Sequence, residues 1–234
     1  MRMKVVVPAI VVVVCVGIGL WVANRPHDDT SADGAVPVLT SLATQGKSAA
    51  PDRGRSLHDL WLLKPPAGAE VAVYEFDDLE CPSCAHALPI VHAAVEHHGV
   101  PLVHRDFPLT EIHVWSFDAA VTARYLQDKV SAKMADEFRR DVFAGQSLIA
   151  SKDDLAQFTG RWFQAHGLMR PFVIDADGSC ENEVRADRAL GERIGVGAHG
   201  TPCIFVVTQQ SAVLVDDVTQ LDRTIEAALA HKSS

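Results

Sequence analysis

Asp77-Asp78-Leu79-Glu80-Cys81-Pro82-Ser83-Cys84 decides the reading of this chain. An apolar, β-branched run, Val71–Phe76, precedes it and reads as a buried strand. A helical pattern from Pro82 to about His98 follows and stops before Gly99. Two cysteines three residues apart in a first helical turn can meet disulfide geometry. Cys81 falls at the helix N-terminus, where unpaired amides and the helix dipole favour a thiolate. Pro82 suits the first turn because it has no N–H to lose. Such a position lowers a thiol pKa, while Cys84, one turn further in, is shielded and reads as the resolving thiol. Structural zinc would call for four ligands, often a second cysteine pair. No second Cys-x-x-Cys exists, and His86, His92, His97 and His98 show no ligand spacing. A purely structural disulfide closing so short a loop would constrain the unfolded chain little. The pair therefore reads as redox-active, and neither a metal nor a cofactor is expected.

Leu57–Leu63 reads as a short helix stopped by Pro65-Pro66. Leu102–Phe107 reads as a second strand. From about Trp115 to Gly167 the pattern is helical: Ala119, Ala120, Ala123 and Leu126 share one face, as do Met134, Phe138, Val142 and Phe143. Asp153 and Asp154 start a helix through Phe158 and Trp162. Glu181–Ile194 is helical, with Gly195 as its stop. Cys203–Val207 and Ala212–Val215 read as strands joined by Thr-Gln-Gln-Ser, and Val218–Ala230 as a closing helix. Trp61, Trp115, Trp162, Phe138 and Phe158 read as core. The order is strand–helix–strand, a helical block at about 110–178, then helix–strand–strand–helix, an α/β fold with an inserted helical domain.

The chain has 234 residues, 48% of them hydrophobic, with 21 Lys+Arg against 30 Asp+Glu and a net charge of −9. A collagen, a coiled coil and a disordered polymer are excluded, and nucleic-acid binding lacks its basic footprint. Val5–Ala23 is nineteen residues without a charge. At ~1.5 Å per residue it nearly spans a ~30 Å hydrocarbon layer. Arg2 and Lys4 precede it, so its N-terminus is expected in the cytoplasm. We therefore read residues 1–25 as a single-pass membrane anchor. A cleaved signal sequence is the competing reading, for which Trp21 fits poorly before a cut after Ala23. Either way the rest of the chain is expected outside the cytoplasm, periplasmic or extracellular. Residues 26–56, rich in Ala, Ser, Thr, Asp, Gly and Pro, read as a flexible linker. Residues 57–234 form the folded domain.

Three segments carry a family resemblance. Val73–Cys84 resembles the active-site segment of DsbA-like thioredoxin-fold proteins. His104-Arg105-Asp106-Phe107-Pro108-Leu109, then His113, resembles the exit of the second strand. Gly195–Pro202 resembles the family's cis-proline loop. The resemblance implies a thioredoxin-like fold and a cis peptide before Pro202. Thr201-Pro202 would face the cysteines, with Pro82, Ser83, Thr201 and Pro202 meeting the substrate. The residues alone equally fit a trans proline opening an edge strand. Glu75 alternates with Val71 and Val73, and lies six residues before Cys81, where the family keeps a buried acid. A desolvated carboxylate there would take the proton of Cys84, and a surface glutamate at a strand end is the plainer alternative.

The implied activity is dithiol–disulfide exchange through Cys81 and Cys84, in the direction of disulfide formation in exported proteins with free cysteines. A DsbB-like membrane partner would recycle the enzyme, and the helical block would offer an apolar groove. A reductase or isomerase using the same site, and a non-catalytic anchored domain with a structural disulfide, are the alternatives. Cys180 and Cys203 depart from the pattern and read as a second disulfide or as thiols tuning the site. Their pairing would require the chain to fold back past a ~20 Å helix. His199 lies in the cis-proline loop, and His104 lies where it can approach Glu75.

Overall fold

In the computed structural model, residues 56–230 are described. The anchor and nearly all of the linker lie outside them, and no described helix is long and apolar enough to cross a membrane. The sheet has four strands: β1 (Val71–Asp77), β2 (Leu102–Asp106), β3 (Cys203–Thr208) and β4 (Ala212–Val215). Their spatial order is β2-β1-β3-β4. β1 and β2 are parallel, with Val73 opposite Leu102, Glu75 opposite His104 and Asp77 opposite Asp106. Helix α1 (Pro82–His98) makes the crossover that a parallel pair requires. β3 runs antiparallel to β1, and β4 antiparallel to β3. Every residue of β1 is buried, as expected of a central strand covered on both faces.

The alternation of β1 sends its side chains into two layers. Val71 and Val73 pack with Ala87, Val91 and Ala94 of α1, and with Leu221 and Ile225 of the closing helix. Tyr74 and Phe76 point to the opposite face, against Phe107, Phe205, Ile194 and Val196. A third cluster belongs to the insertion, helices α2 (Ser116–Lys129), α3 (Ala132–Gly145) and α4 (Lys152–Ala165). There Trp115, Leu126, Phe138, Phe143, Trp162 and Phe163 surround a core that also contains Leu79, Cys81 and Cys84. Serine caps start two of these helices: Ser131 accepts from Met134 N, and Ser151 accepts from Asp154 N. Helix α5 (Ser179–Ile194) leads to the short α6 (Val196–His199), and α7 (Leu221–Ala230) closes the chain.

Three sequence expectations change. Trp61 is 64% exposed rather than core. Leu57–Leu63 forms only a 3-10 turn over Leu60–Leu62, which turns Leu63 inward and leaves Trp61 outside, its Nε1 donating to Asp59. The segment before Pro202 contains a helical turn, α6, rather than loop alone.

Gly191 makes a sharp prediction. A Cβ there would stand 2.5 Å from the ring of Phe107 and 3.2 Å from that of Phe76. Both rings are fully buried and pack edge to face. Gly191→Ala is therefore expected to destabilise the domain by about 1–3 kcal/mol, although alanine is the better helix former. Urea unfolding checks it; an unchanged midpoint would show that the rings shift freely.

Candidate active site

The turn from β1 into α1 sets the dithiol. Cys81 is the N-cap, with extended backbone (φ −80, ψ 119), and Pro82 follows at the first helical position. The peptide Thr201-Pro202 is cis, as the resemblance implies. It brings Thr201 against Cys81, whose Sγ lies 3.3 Å from the Thr201 carbonyl and donates to it when protonated. Pro82 and Ser83 are exposed, while Thr201 and Pro202 are half-buried. These four residues are thus gathered around Cys81. A surface depression joins Pro82, Ser83 and His86 to Pro202, Ile204 and Val218. This depression lies on the cis-proline side of the dithiol.

The two thiols differ sharply. Cys81 is drawn down to about 5, chiefly by hydrogen bonding from the Cys84 thiol. Burial opposes this, and the Thr201 side chain and the amides of Cys84 and Ser83 add to it. The Thr201 hydroxyl is buried with no hydrogen-bond partner among the described residues, so it is available to the sulfur. Burial pushes Cys84 well above the ordinary thiol value, and the Cys81 bond and the charge of Asp77 add to it. The pair thus holds a nucleophile ionised at neutral pH beside a protonated, shielded thiol.

Beneath the dithiol lies a buried charged layer. Glu75 is buried as expected, and burial together with Asp77 raises its carboxyl to about 7. His104 does approach it: Nδ1 lies 3.8 Å from Glu75 Oε2 and 3.6 Å from Asp77 Oδ2. Arg139, from α3 and also buried, sits 2.8 Å from Asp106 and 3.8 Å from Asp77. Arg124 bridges Asp106 at 2.8 Å and Asp187 at 2.6 Å. Burial pushes the Asp106 carboxyl up, but the two guanidinium groups outweigh it and hold it below its ordinary value. Donor atoms of Glu75, Asp77 and His104 lie within 4.8 Å of one another. The fixed charge of Arg139 beside them would repel a cation, so the set suits protons better than a metal.

Sequence reasoning missed four residues that shape the site. Asp77 continues the alternation Val71, Val73, Glu75 one step further, and that signal was available. Asp78, fully buried, accepts from Glu80 N at 2.7 Å, Leu109 N at 2.6 Å and the His113 ring at 2.8 Å. Glu80 accepts from Trp115 N at 2.7 Å, and Gln146 donates to Leu79 O at 2.8 Å. The last four of these bonds reach 31 to 67 residues along the chain and leave no local pattern. Cys180 and Cys203 are both free thiols. Burial pushes them to about 11 and about 12. Ile194, at the far end of α5, shares a cluster with Cys203. Cys180 lies fourteen residues back at the start of that helix, ~21 Å away along its axis. The structure does not bring them together as a second disulfide.

A family model described as thioredoxin matches residues 66–206. Among solved structures, the thiol-disulfide exchange protein alpha-DsbA2 from Wolbachia pipientis is 18% identical with a TM-score of 0.55, over 70% of this chain and 84% of that one. The catalytic domain of Proteus mirabilis ScsC is 14% identical with a TM-score of 0.56, over 71% and 87%. The oxidoreductase NmDsbA1 from N. meningitidis is 15% identical with a TM-score of 0.52, over 72% and 89%. These likenesses establish a shared fold. No match was found among curated proteins.

Proposed function

The chain belongs to the thioredoxin family and carries the DsbA-like fold and dithiol of a thiol–disulfide oxidoreductase, and from that premise we propose that it forms disulfides in exported proteins while tethered to the membrane by residues 1–25. The observation that carries the oxidising direction is the Cys81 thiol, held near pKa 5 beside a protonated Cys84. Stabilising the thiolate stabilises the reduced form, and a dithiol so stabilised is a strong oxidant. A substrate thiolate attacks Cys81 of the disulfide and Cys84 leaves. A second substrate thiol then attacks the mixed disulfide, releasing the oxidised product and the reduced enzyme. Thr201 offers its backbone, and Pro82, Ser83 and Pro202 form the surface that meets the substrate chain. Glu75 belongs to the buried acid group that handles the proton of Cys84. A membrane oxidase of DsbB type would restore the disulfide.

The test is the reduction potential of Cys81–Cys84 in the full-length protein, measured in glutathione buffers. A value near about −120 mV supports disulfide donation; one near about −270 mV makes the protein a reductase with an external electron source. A pair that no glutathione ratio reduces leaves a structural disulfide on an anchored binding domain.

The low pKa has a signed consequence. The Cys81 thiolate exists only in the reduced protein, and its folded pKa is depressed. The reduced form therefore gains stability over the oxidised form as pH rises from about 5 toward the ordinary ~8.5, and loses that gain as pH falls through about 5. Melting temperatures of both forms across this window check it; a difference independent of pH would contradict the assigned thiolate.

A further inference from the structure

We propose that His97, His98 and Asp222 form a surface site for a zinc ion, which braces the end of α1 against the start of α7. The site stands apart from the dithiol. His98 is the last residue of α1 and Pro82 the first, ~24 Å apart at 1.5 Å per residue.

The donors converge on one atom. His97 Nδ1 lies 3.0 Å and His98 Nε2 2.9 Å from the same Asp222 oxygen, Oδ1. All three donor atoms lie within 4.8 Å of one another. Zinc takes imidazole nitrogen and carboxylate oxygen at ~2.0–2.2 Å, so neighbouring ligands around it stand ~2.8–3.5 Å apart at octahedral to tetrahedral angles. Both contacts to Asp222 already fall in that range. Two imidazoles with one carboxylate suit zinc rather than magnesium or calcium, which prefer oxygen alone. Three protein donors leave a further position to water.

Rigid elements hold the donors. His97 and His98 form the end of α1, which Gly99 closes with left-handed backbone (φ 61), and Asp222 stands in the first turn of α7. Ala94 of α1 and Leu221 and Ile225 of α7 flank these residues and share one buried cluster. That packing fixes both backbones that carry the site. The His98 side chain is 12% exposed, and the His97 ring lies beside it with centroids 4.6 Å apart. His97 and Asp222 are 70% and 55% exposed, so a hydrated ion has open access. The C-terminal end of α1 also turns the negative end of its dipole toward a cation.

Charge separates this cluster from its neighbours. Two other groups of histidine and carboxylate donors occur among the described residues, both containing His104. A guanidinium stands at each: Arg139 is 3.8 Å from Asp77, and Arg140 is 3.0 Å from Asp136. Such a fixed charge repels a metal ion. Asp222 pairs only with His97 and His98 among the described residues. Its 124-residue distance from His98 along the chain explains why the two histidines alone show no ligand spacing.

The test is a calorimetric titration of the full-length protein with zinc chloride. The Cys81–Cys84 pair is kept oxidised so that these thiols do not take the ion. One equivalent of zinc is expected to bind. His97→Ala, His98→Ala and Asp222→Asn are each expected to weaken binding at least ~10-fold, the smallest effect of losing even a supporting partner of a ligand. No uptake of zinc by the wild type would overturn the proposal. Equal uptake by wild type and variants would place the ion elsewhere and overturn it too. Should His98→Ala fail to fold, His97→Ala, whose side chain is largely in solvent, decides. Cobalt(II) in place of zinc is expected to show no thiolate charge-transfer band; such a band would move the ion to a cysteine and overturn the assignment. Zinc is also expected to slow amide hydrogen exchange in α7. Zinc bound at these residues with α7 exchange unchanged would refute the brace.

Discussion

Cys81→Ser is expected to reduce thiol–disulfide exchange to the uncatalysed background, because no other described thiol can replace it. Cys84 is protonated far above neutrality, and Cys180 and Cys203 are buried with raised pKa values. Cys84→Ser has a different outcome. It leaves the nucleophile but removes the resolving sulfur, so mixed disulfides with substrate are expected to accumulate. A serine hydroxyl can still donate to the Cys81 thiolate, which is the largest cause of its low pKa. Cys84→Ala removes that donor, and the Cys81 pKa is expected to rise from about 5 toward the ordinary thiol value. Oxidation of a reduced two-cysteine peptide reads the activity, mass spectrometry the trapped adducts, and thiolate absorbance the pKa. Residual turnover by Cys81→Ser would place the reacting sulfur elsewhere.

Arg139→Met is expected to cost about 3–5 kcal/mol, because removing one partner leaves buried charges uncompensated. Arg139 is 2% exposed and holds Asp106 at 2.8 Å, with Asp77 at 3.8 Å. The sign of the pH dependence follows. In the native protein Asp106 sits below its ordinary value despite burial, so its contribution is present above an unfolded pKa of ~3.9 and fades below it. Without Arg139 the same burial raises the Asp106 pKa, and the variant loses stability as pH climbs above ~4. The gap between the two proteins should therefore widen from about pH 4 to about pH 7 in urea unfolding. Arg139→Met combined with Asp106→Asn should recover part of the loss. A gap that does not change with pH would mean that Arg139 matters through packing alone.

What could be read from the residues was whatever short-range patterning writes. The strand Val71–Asp77 announces itself by composition, the helix after Cys81 by its proline start and glycine stop, and the dithiol by its spacing. The cis peptide at Pro202 was reached through resemblance, since no local signal separates it from a trans proline. The charged layer was not legible. Arg139, Asp106, Arg124 and Asp187 lie on four elements and up to 81 residues apart. An arginine on a helix normally reads as a solvated face, and only the packing of α2 against α3 and α5, and of α5 against β2, makes these buried. Trp61 was misjudged for the converse reason: its size suggested burial, but the turn that carries it sets Leu60 and Leu62 against the core and leaves Trp61, between them, in solvent.

The insertion's core takes in Leu79, Cys81 and Cys84, and the loop before the dithiol is bonded to Trp115 and Gln146. Such an insertion is not a detachable module. Grafting the helical block of a relative onto this sheet would exchange the rear wall of the redox site and the counter-charge beneath it in the same operation. Chimeras cut at residues 110 and 178 should change redox chemistry even when the sheet, the cysteines and the proline loop are kept intact.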